Sequence, residues 1–395
     1  MEKRLKGNVG WVGKVDWELR SFHGRELSTH RGSTYNSYLI SEEKTVLIDT
    51  VWNPFDDEFV RNLSQTVDLY RIDAIVTLHG EPDHSGALPA LMQKIPKTPI
   101  YCTANAVDSL KGQYHRDWDF RAVKTGDSLP LGNGKELKFI EMAFIHWPDS
   151  MACFLTGDNI LFSNDAFGQH LAGDELWADL ADQCALYEEA IKYYANIITP
   201  FNAIVKNKLA EIAAMNLPIE MIAPSHGLIW RRDPQMILSK YGAWADNYRE
   251  NQITILYDSM WQGTEALAHA ISEGVGNADP AVRRKVYNTS KTDKNDIITE
   301  IFRSKTIAVG SPTINNGVLY SIAGILSMIR EMRFKNKKAA VFGCFGWSGE
   351  STRVLKQALT EAGFDVMDEG LRYKWYPDEV GLTAAVEYGK KLAAY

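Results

Sequence analysis

An apolar run, Ile72-Asp-Ala-Ile-Val-Thr-Leu78, passes directly into His79-Gly-Glu-Pro-Asp-His84. No other stretch constrains the chain as tightly. The run is short and nearly all apolar, as in a strand buried on both faces. Four of the six residues that follow can bind a metal. A strand that ends in a turn dense with His, Glu and Asp reads as the mouth of a metal site. A polar surface turn accounts for one such side chain, but four at this density point to cations.

The surrounding grammar repeats. Thr34 to Ile40 and Thr45 to Asp49 alternate around a Ser-Glu-Glu-Lys turn and predict an antiparallel hairpin. Ser85 to Lys94 has helical spacing, and Pro99 to Thr103 is a short strand. Glu136 to Met142 alternates and ends near His146. Cys153–Leu155 and Ile160–Ser163 flank a Thr-Gly-Asp-Asn turn. Gln183 to Ile198 and Asn207 to Asn216 read as helices, and Ile219–Ala223 as a strand that ends at Pro224-Ser-His226. His146, Asp165 and His226 each follow an expected strand. A single His at a strand end is ordinarily a packed, hydrogen-bonded residue; the neighbouring cluster is what makes these three candidates. Seven nitrogen and oxygen ligands exceed one tetrahedral zinc and suit two metals that share a carboxylate. Strands first, helices interspersed and ligands at strand ends predict an α/β sandwich with a site at one edge.

From Ile253 the grammar changes. Ile253–Tyr257 is a buried-strand run, followed by Ser259-Met260-Trp261-Gln262-Gly263-Thr264 and a helix from Glu265 to about Glu273. Strand, small polar loop and helix N-terminus form an anion cradle. The loop lacks the Lys of a Walker motif and the G-x-G-x-x-G spacing, which disfavours a nucleoside triphosphate. Two more apolar strands end in Pro312-Thr313-Ile314-Asn315-Asn316 and in Phe345-Gly346-Trp347-Ser348-Gly349. Helices are expected over 317–332, 349–362 and 378–393. Repeated βα units predict a doubly wound parallel sheet with its ligand at the strands' C-terminal ends. Trp261 and Trp347 sit in loops, which favours contact with a flat ring over core packing. The expected domains are 1–249 and 250–395.

Composition excludes other classes. The net charge is −7 and the pI about 5.8, against a general nucleic-acid binder. No apolar run reaches the roughly 20 residues of a membrane helix. No apolar stretch follows Met-Glu-Lys-Arg-Leu-Lys at the start, so no signal peptide is expected and the cytoplasm is the default location. Cys102, Cys153, Cys184 and Cys344 form no C-x-x-C pair, which disfavours a rubredoxin, a zinc ribbon or an iron–sulfur cluster.

His79-x-Glu81-x-Asp83-His84, with His146, Asp165 and His226, resembles the metal-binding series of the metallo-β-lactamase fold. The zinc hydrolases of that superfamily carry a His where this chain has Glu81, and that replacement resembles the flavodiiron proteins. A further hard oxygen ligand suits iron. The three later loops resemble those of flavodoxins, which bind FMN, and Tyr257-Asp-Ser-Met-Trp-x-x-Thr-Glu265 is close to the flavodiiron phosphate loop. Further matching stretches are Phe22-His-Gly24, His146-Trp-Pro-Asp-Ser150, Asn164 to His170, Tyr193-Tyr-Ala-Asn196 and Ser225-His-Gly227. The resemblance covers nearly the whole chain, and the core of flavorubredoxin-type nitric oxide reductases is nearest.

The resemblance implies an N-terminal metallo-β-lactamase-like αββα sandwich followed by a flavodoxin-like domain, with FMN and two iron ions per subunit. It implies reduction of NO to N2O, or of O2 to water. His79, Glu81 and His146 would hold one iron, Asp83, His84 and His226 the other, with Asp165 bridging. His23, His170 and Tyr194 are candidates to orient intermediates or supply protons, though each is also explained by packing. His115 and His269 fall outside the matching stretches and read as surface residues. Without paired cysteines no rubredoxin segment is expected, and electrons are expected from a separate donor such as a rubredoxin or its reductase. Ligands and FMN loops fall in different domains; the resemblance implies a head-to-tail homodimer, or a dimer of dimers, that brings them together. Two other classes compete: a zinc hydrolase fused to a flavodoxin-like regulator, and an electron-carrier flavoprotein whose first domain is structural. The ligand set does not choose between NO and O2.

Overall fold

The computed structural model describes residues 3–395, which divide into two compact units. The first comprises residues up to Tyr193 and Phe201–Gly242; the second comprises Tyr194–Pro200 and Ala243–Tyr395. The division falls a few residues before the expected 249/250 boundary, and a short segment of the first half groups with the second unit. The cause is packing. Tyr194 sets its ring against Trp244 and Phe302, and Asn196 hydrogen-bonds Asn295 and Thr299.

The first unit is a sandwich of two sheets. One has seven strands, in the order Lys3–Lys6, Val9–Trp11, Tyr38–Ser41, Thr45–Ile48, Ile72–Val76, Ile100–Thr103 and Phe120–Val123. The other has five, in the order Ser128–Gly132, Lys135–Glu141, Met151–Leu155, Ile160–Asn164 and Met221–Pro224. Alternate residues of both sheets, among them Tyr38, Val46, Val76, Phe139, Cys153 and Phe162, meet in one dry core. The intervening residues Leu39, Leu47 and Ile75 are also buried, so the seven-stranded sheet is covered on both faces.

The expected 34–40 strand is split. Ser33–Tyr35 pairs with Lys14–Asp16, whereas Tyr38–Ser41 joins the main sheet. The break falls where Asn36 Nδ2 donates to the carbonyls of Pro224 and Gly227. Two expected helices are also interrupted. Residues 85–94 become Pro82–Ser85 and Leu88–Lys94, and residues 183–198 become an α-helix, Gln183–Tyr193, that runs into one π-turn, Tyr194–Ile198.

The second unit is a parallel sheet in the order Arg283–Asn288, Glu250–Tyr257, Ser304–Gly310 and Lys338–Phe345, with Asp365–Val366 and Leu371–Lys374 both on the last edge. The order reverses beside Glu250–Tyr257. A doubly wound sheet opens a crevice at such a point, beyond the strands' carboxyl ends. Its core joins Ile253, Ile255, Ala308 and Phe342 to the helices Gly263–Ala278 and Glu379–Ala394 through Leu267, Ile271 and Leu392. Among the described residues, no helix is long and apolar enough to cross a membrane.

Candidate functional site

Strand pairing puts the metal-ligand candidates together. Ile160–Asn164 and Met221–Pro224 run parallel with Asn164 opposite Pro224, so Asp165 and His226 emerge on the same edge. Thr45–Ile48 and Ile72–Val76 are parallel too, and Asp49 ends the first of them. Its Oδ1 accepts the Leu78 N–H at 2.7 Å and its Oδ2 accepts from Ser225 Oγ at 3.3 Å. Asp49 therefore ties the start of the His79–His84 turn to the residue before His226. Burial pushes its carboxyl up to about 7.

The seven side chains converge. Asp165 turns one oxygen to each of two groups. Its Oδ2 faces Nε2 of His79 at 3.7 Å and of His146 at 3.4 Å. Glu81 Oε2 lies 3.2 Å from the former and 3.6 Å from the latter. Asp165 Oδ1 faces Nε2 of His84 at 3.1 Å and of His226 at 3.4 Å, and Asp83 Oδ2 lies 3.2 and 2.9 Å from these. Among the described residues, ligand atoms of His79, His146 and Asp165, and likewise of Asp83, His84 and His226, lie mutually within 4.8 Å.

Hydrogen bonding outside the cluster fixes which ring nitrogen faces inward. His226 Nδ1 lies 2.7 Å from the Thr34 carbonyl, which only accepts, so that nitrogen carries the proton. His79 Nδ1 donates to Asp149 Oδ1 at 2.8 Å. Both Nε2 lone pairs are thereby left for the cluster. Asp149 also accepts the Gly80 N–H at 3.1 Å. A Cβ at Gly80 would sit 2.6 Å from that carboxylate, so only glycine allows the turn this close to its anchor.

The electrostatics fit bound cations. Burial disfavours charge on His79, Glu81, Asp165 and His226, yet the carboxylates and imidazoles override it in opposite directions. Asp149, Glu81 and Asp165 raise His79 well above the usual range, and Asp165 and Asp83 lift His226 to about 10. Asp165 and Glu81 are held below the ordinary carboxylate range by the facing imidazoles. Both Asp83 oxygens, His84 Nε2 and Asp165 Oδ2 are buried without a hydrogen bond. Orphaned acceptors at this density have a reason when a cation completes them. The donors are imidazoles and carboxylates without a thiol, which fits iron.

The three other candidates divide. His23 Nε2 lies 2.7 Å from Glu81 Oε1 and the side chain is 37% exposed, so His23 stands at the solvent side. His170 is buried, its Nδ1 2.8 Å from Ser33 Oγ and its Nε2 without a hydrogen bond. Tyr194 belongs to the second unit, where its ring lies against Trp244 and Phe302. Its neighbour Tyr193 packs on His170 and His226, with ring centroids 5.0 and 6.3 Å away. Burial, then Asp165 and Asp83, keeps the Tyr193 hydroxyl protonated well above its usual range. Both residues stand in the Tyr-Tyr-Ala-Asn stretch; Tyr193 ends the α-helix and Tyr194 begins the π-turn.

In the second unit the three loops enclose a cavity of about 700 Å³. Ser259, Met260, Trp261, Gly263 and Thr264 line it, with Pro312 to Asn316 and Phe345 to Ser348. Gln262 and Gly349 are absent from the wall. They shape its turns, with φ of 64° and 78°. The hydroxyl of Thr264 is buried, without a hydrogen-bond partner, in the first turn of Gly263–Ala278. An orphan hydroxyl beside a helix N-terminus is a cradle for phosphate. Cys344, Trp375 and Tyr376 also line the cavity and were not expected from the sequence. Trp347 and Trp375 have centroids 6.5 Å apart, and both stand largely exposed at the mouth. A Cβ at Gly346 would lie 2.9 Å from the Trp375 ring, so glycine lets that ring settle over its loop. A phosphate end and an aromatic end fit a flavin mononucleotide.

Comparison with known proteins agrees with both halves. A family described as ODP family beta lactamase matches residues 34–227, and the flavodoxin family matches 255–389. The chain is 52% identical over 394 residues to an anaerobic nitric oxide reductase flavorubredoxin of Aliivibrio fischeri, covering 100% of this chain and 79% of that protein. The corresponding protein of Klebsiella pneumoniae is 51% identical, with 98% and 81% covered. Among solved structures, the rubredoxin oxygen:oxidoreductase of Desulfovibrio gigas superposes with a TM-score of 0.95 at 34% identity, covering 100% of this chain and 98% of that one. The flavodiiron protein of Giardia intestinalis also gives 0.95, at 32% identity, with 100% and 96% covered.

Proposed function

The chain belongs to the flavodiiron protein family, and from that premise we propose that it reduces NO to N2O, with reduction of O2 to water as the second activity of the same site. Iron in the cluster supplies gas binding and reduction, and FMN in the second unit supplies stored electrons. His79, Glu81 and His146 would hold one metal and Asp83, His84 and His226 the other, with Asp165 placed to serve both. Asp149 and the Thr34 carbonyl keep two imidazoles aimed inward, and Asp49 fixes the turn that carries four of the ligands. Two NO, two electrons and two protons give N2O and water. Tyr193, protonated and buried beside His170 and His226, is placed to donate a hydrogen bond to bound gas, and His23 connects Glu81 to solvent protons.

The observation that carries the reading is Asp165, with one oxygen toward each ligand group in a thiol-free cluster. A single zinc would leave half of these donors unused. Electrons come from a rubredoxin-type donor, the protein works in the cytoplasm, and a head-to-tail homodimer or a dimer of dimers sets one subunit's FMN near the other's metals. Sedimentation of a strictly monomeric, fully active protein contradicts that assembly. For the reaction, the test is turnover of the iron-loaded, reduced protein with NO anaerobically and with O2 in air. N2O formation at a rate at least matching O2 uptake is expected. Efficient O2 uptake with negligible NO loss would make it an oxygen reductase. Stoichiometric zinc, with no gas turnover after iron loading, would return it to the hydrolases.

A further inference from the structure

The first unit holds a narrow crevice lined by Met142, Ile145, Ala166, Val205, Leu209 and Ile212, with Phe167, Tyr241 and Lys208 completing the wall. Its inner end is made by Ile145 and Ala166, both buried. These two precede His146 and follow Asp165, so each is one residue, about 3.8 Å of backbone, from a proposed ligand. Its outer end lies along the Asn202–Ala214 helix, where Lys208 and Leu209 are half-buried and Lys208 pairs with Glu211 at 2.6 Å.

We propose that this crevice is a port and holding site for the apolar diatomic gas, a role that rests on the gas-reductase reading above. The cavity is about 10 Å³, close to the roughly 10–15 Å³ that a single water-sized guest needs, so it is at most a one-molecule space. Apart from Tyr241 and Lys208 its lining residues are apolar, so water gains few hydrogen bonds there. NO and O2 are weak hydrogen-bonding partners and favour apolar space over water. Where His23 bonds Glu81 the cluster has a polar, partly exposed edge. Protons thus have the His23 side and gas has the apolar side, and neither competes with the other.

Two experiments test the port. The first pressurises crystals of the iron- and FMN-loaded protein with krypton, an apolar atom of diatomic size. Krypton density against Ile145, Ala166 and Val205 is expected; an empty crevice overturns the proposal. The second measures gas kinetics. Val205→Phe and Leu209→Trp narrow the crevice and Val205→Ala widens it. The narrowing variants should lower kcat/KM for the gas by roughly fivefold to tenfold, within the range over which one interface tunes its on-rates. Their kcat at saturating gas and their iron and FMN contents should not change, and Val205→Ala should move KM the opposite way. Krypton binding with KM unmoved in all three removes the access role. If the protein turns over neither gas, the function above fails, and krypton occupancy still decides whether the crevice takes a small apolar guest.

Discussion

Asp149 shows what a single carboxylate outside the cluster does. It takes the Nδ1 proton of His79 and the Gly80 amide together, so it sets both the ring's tautomer and the turn's position. Asp149→Asn keeps the size and loses the charge. The expected result is a protein that folds but binds iron roughly 10- to 100-fold more weakly, the usual cost of removing a partner that orients a metal ligand. Metal competition with a chelator measures it. Tyr193 and Tyr194 give a sharper contrast. Tyr193→Phe should lower turnover roughly 100-fold with iron content intact, at the low end of proton-donor effects. Tyr194→Phe, which keeps the ring on Trp244 and Phe302, should leave turnover unchanged. The sequence placed the seven ligand types because density and strand-end position are local properties. It did not distinguish Tyr193 from Tyr194, because a π-turn shifts the helical phase and the residue pattern carries no mark of that. Asp149 lay inside a quoted motif, yet beside a proline it reads as a turn former until the fold brings His79 to it.

Strands were legible where they alternate or run apolar. Breaks were not. Asn36 ends one strand because its amide reaches Pro224 and Gly227, far along the chain, and no local window contains those partners. In the second unit the loops named from the sequence do line the cavity, but Trp375 and Tyr376 follow a short edge strand, Leu371–Lys374, that pairs only with Lys338–Phe345. The sandwich has a further device that is silent in sequence. Lys135 Nζ lies 2.7 Å from Glu42 and 2.6 Å from Asp158. Glu42 sits in a turn of the seven-stranded sheet and Asp158 in a turn of the five-stranded one, so the cluster clamps the two sheets. Against its partial burial, Lys135 lowers the Glu42 carboxyl below its ordinary value of 4.5, and the two carboxylates raise Lys135. A lowered carboxyl contributes stability above about pH 4.5 that is lost as pH falls through the folded value. The raised amine contributes below its ordinary 10.5, and that part is lost as pH rises through the folded value. Glu42→Gln should cost about 1 kcal/mol at neutral pH, as in a networked ion pair. In urea melts the gap to the unsubstituted protein should close in acid. A gap that persists at pH 3 would assign the loss to packing.

Taken whole, the molecule joins a metal cluster built on strand ends to a flavin cradle built on strand ends, in two units that each have their own core. Fold class, a two-metal site and an anion cradle followed from residues that act locally, ligands in a turn and small polar residues before a helix, and the resemblance those residues carry named iron and FMN. Assembly and gas preference depend on surfaces and partners that leave no periodic trace. The central claim is that FMN electrons reach the metals and reduce NO. It is tested most directly by electron counting without a donor. Fully reduced protein, with and without FMN, is mixed anaerobically with excess NO and the N2O formed per chain is measured. The account predicts that removing FMN halves the yield, because the flavin and the metal pair each store two electrons and each N2O consumes two. An equal yield with and without FMN, or no N2O from either form, would contradict it.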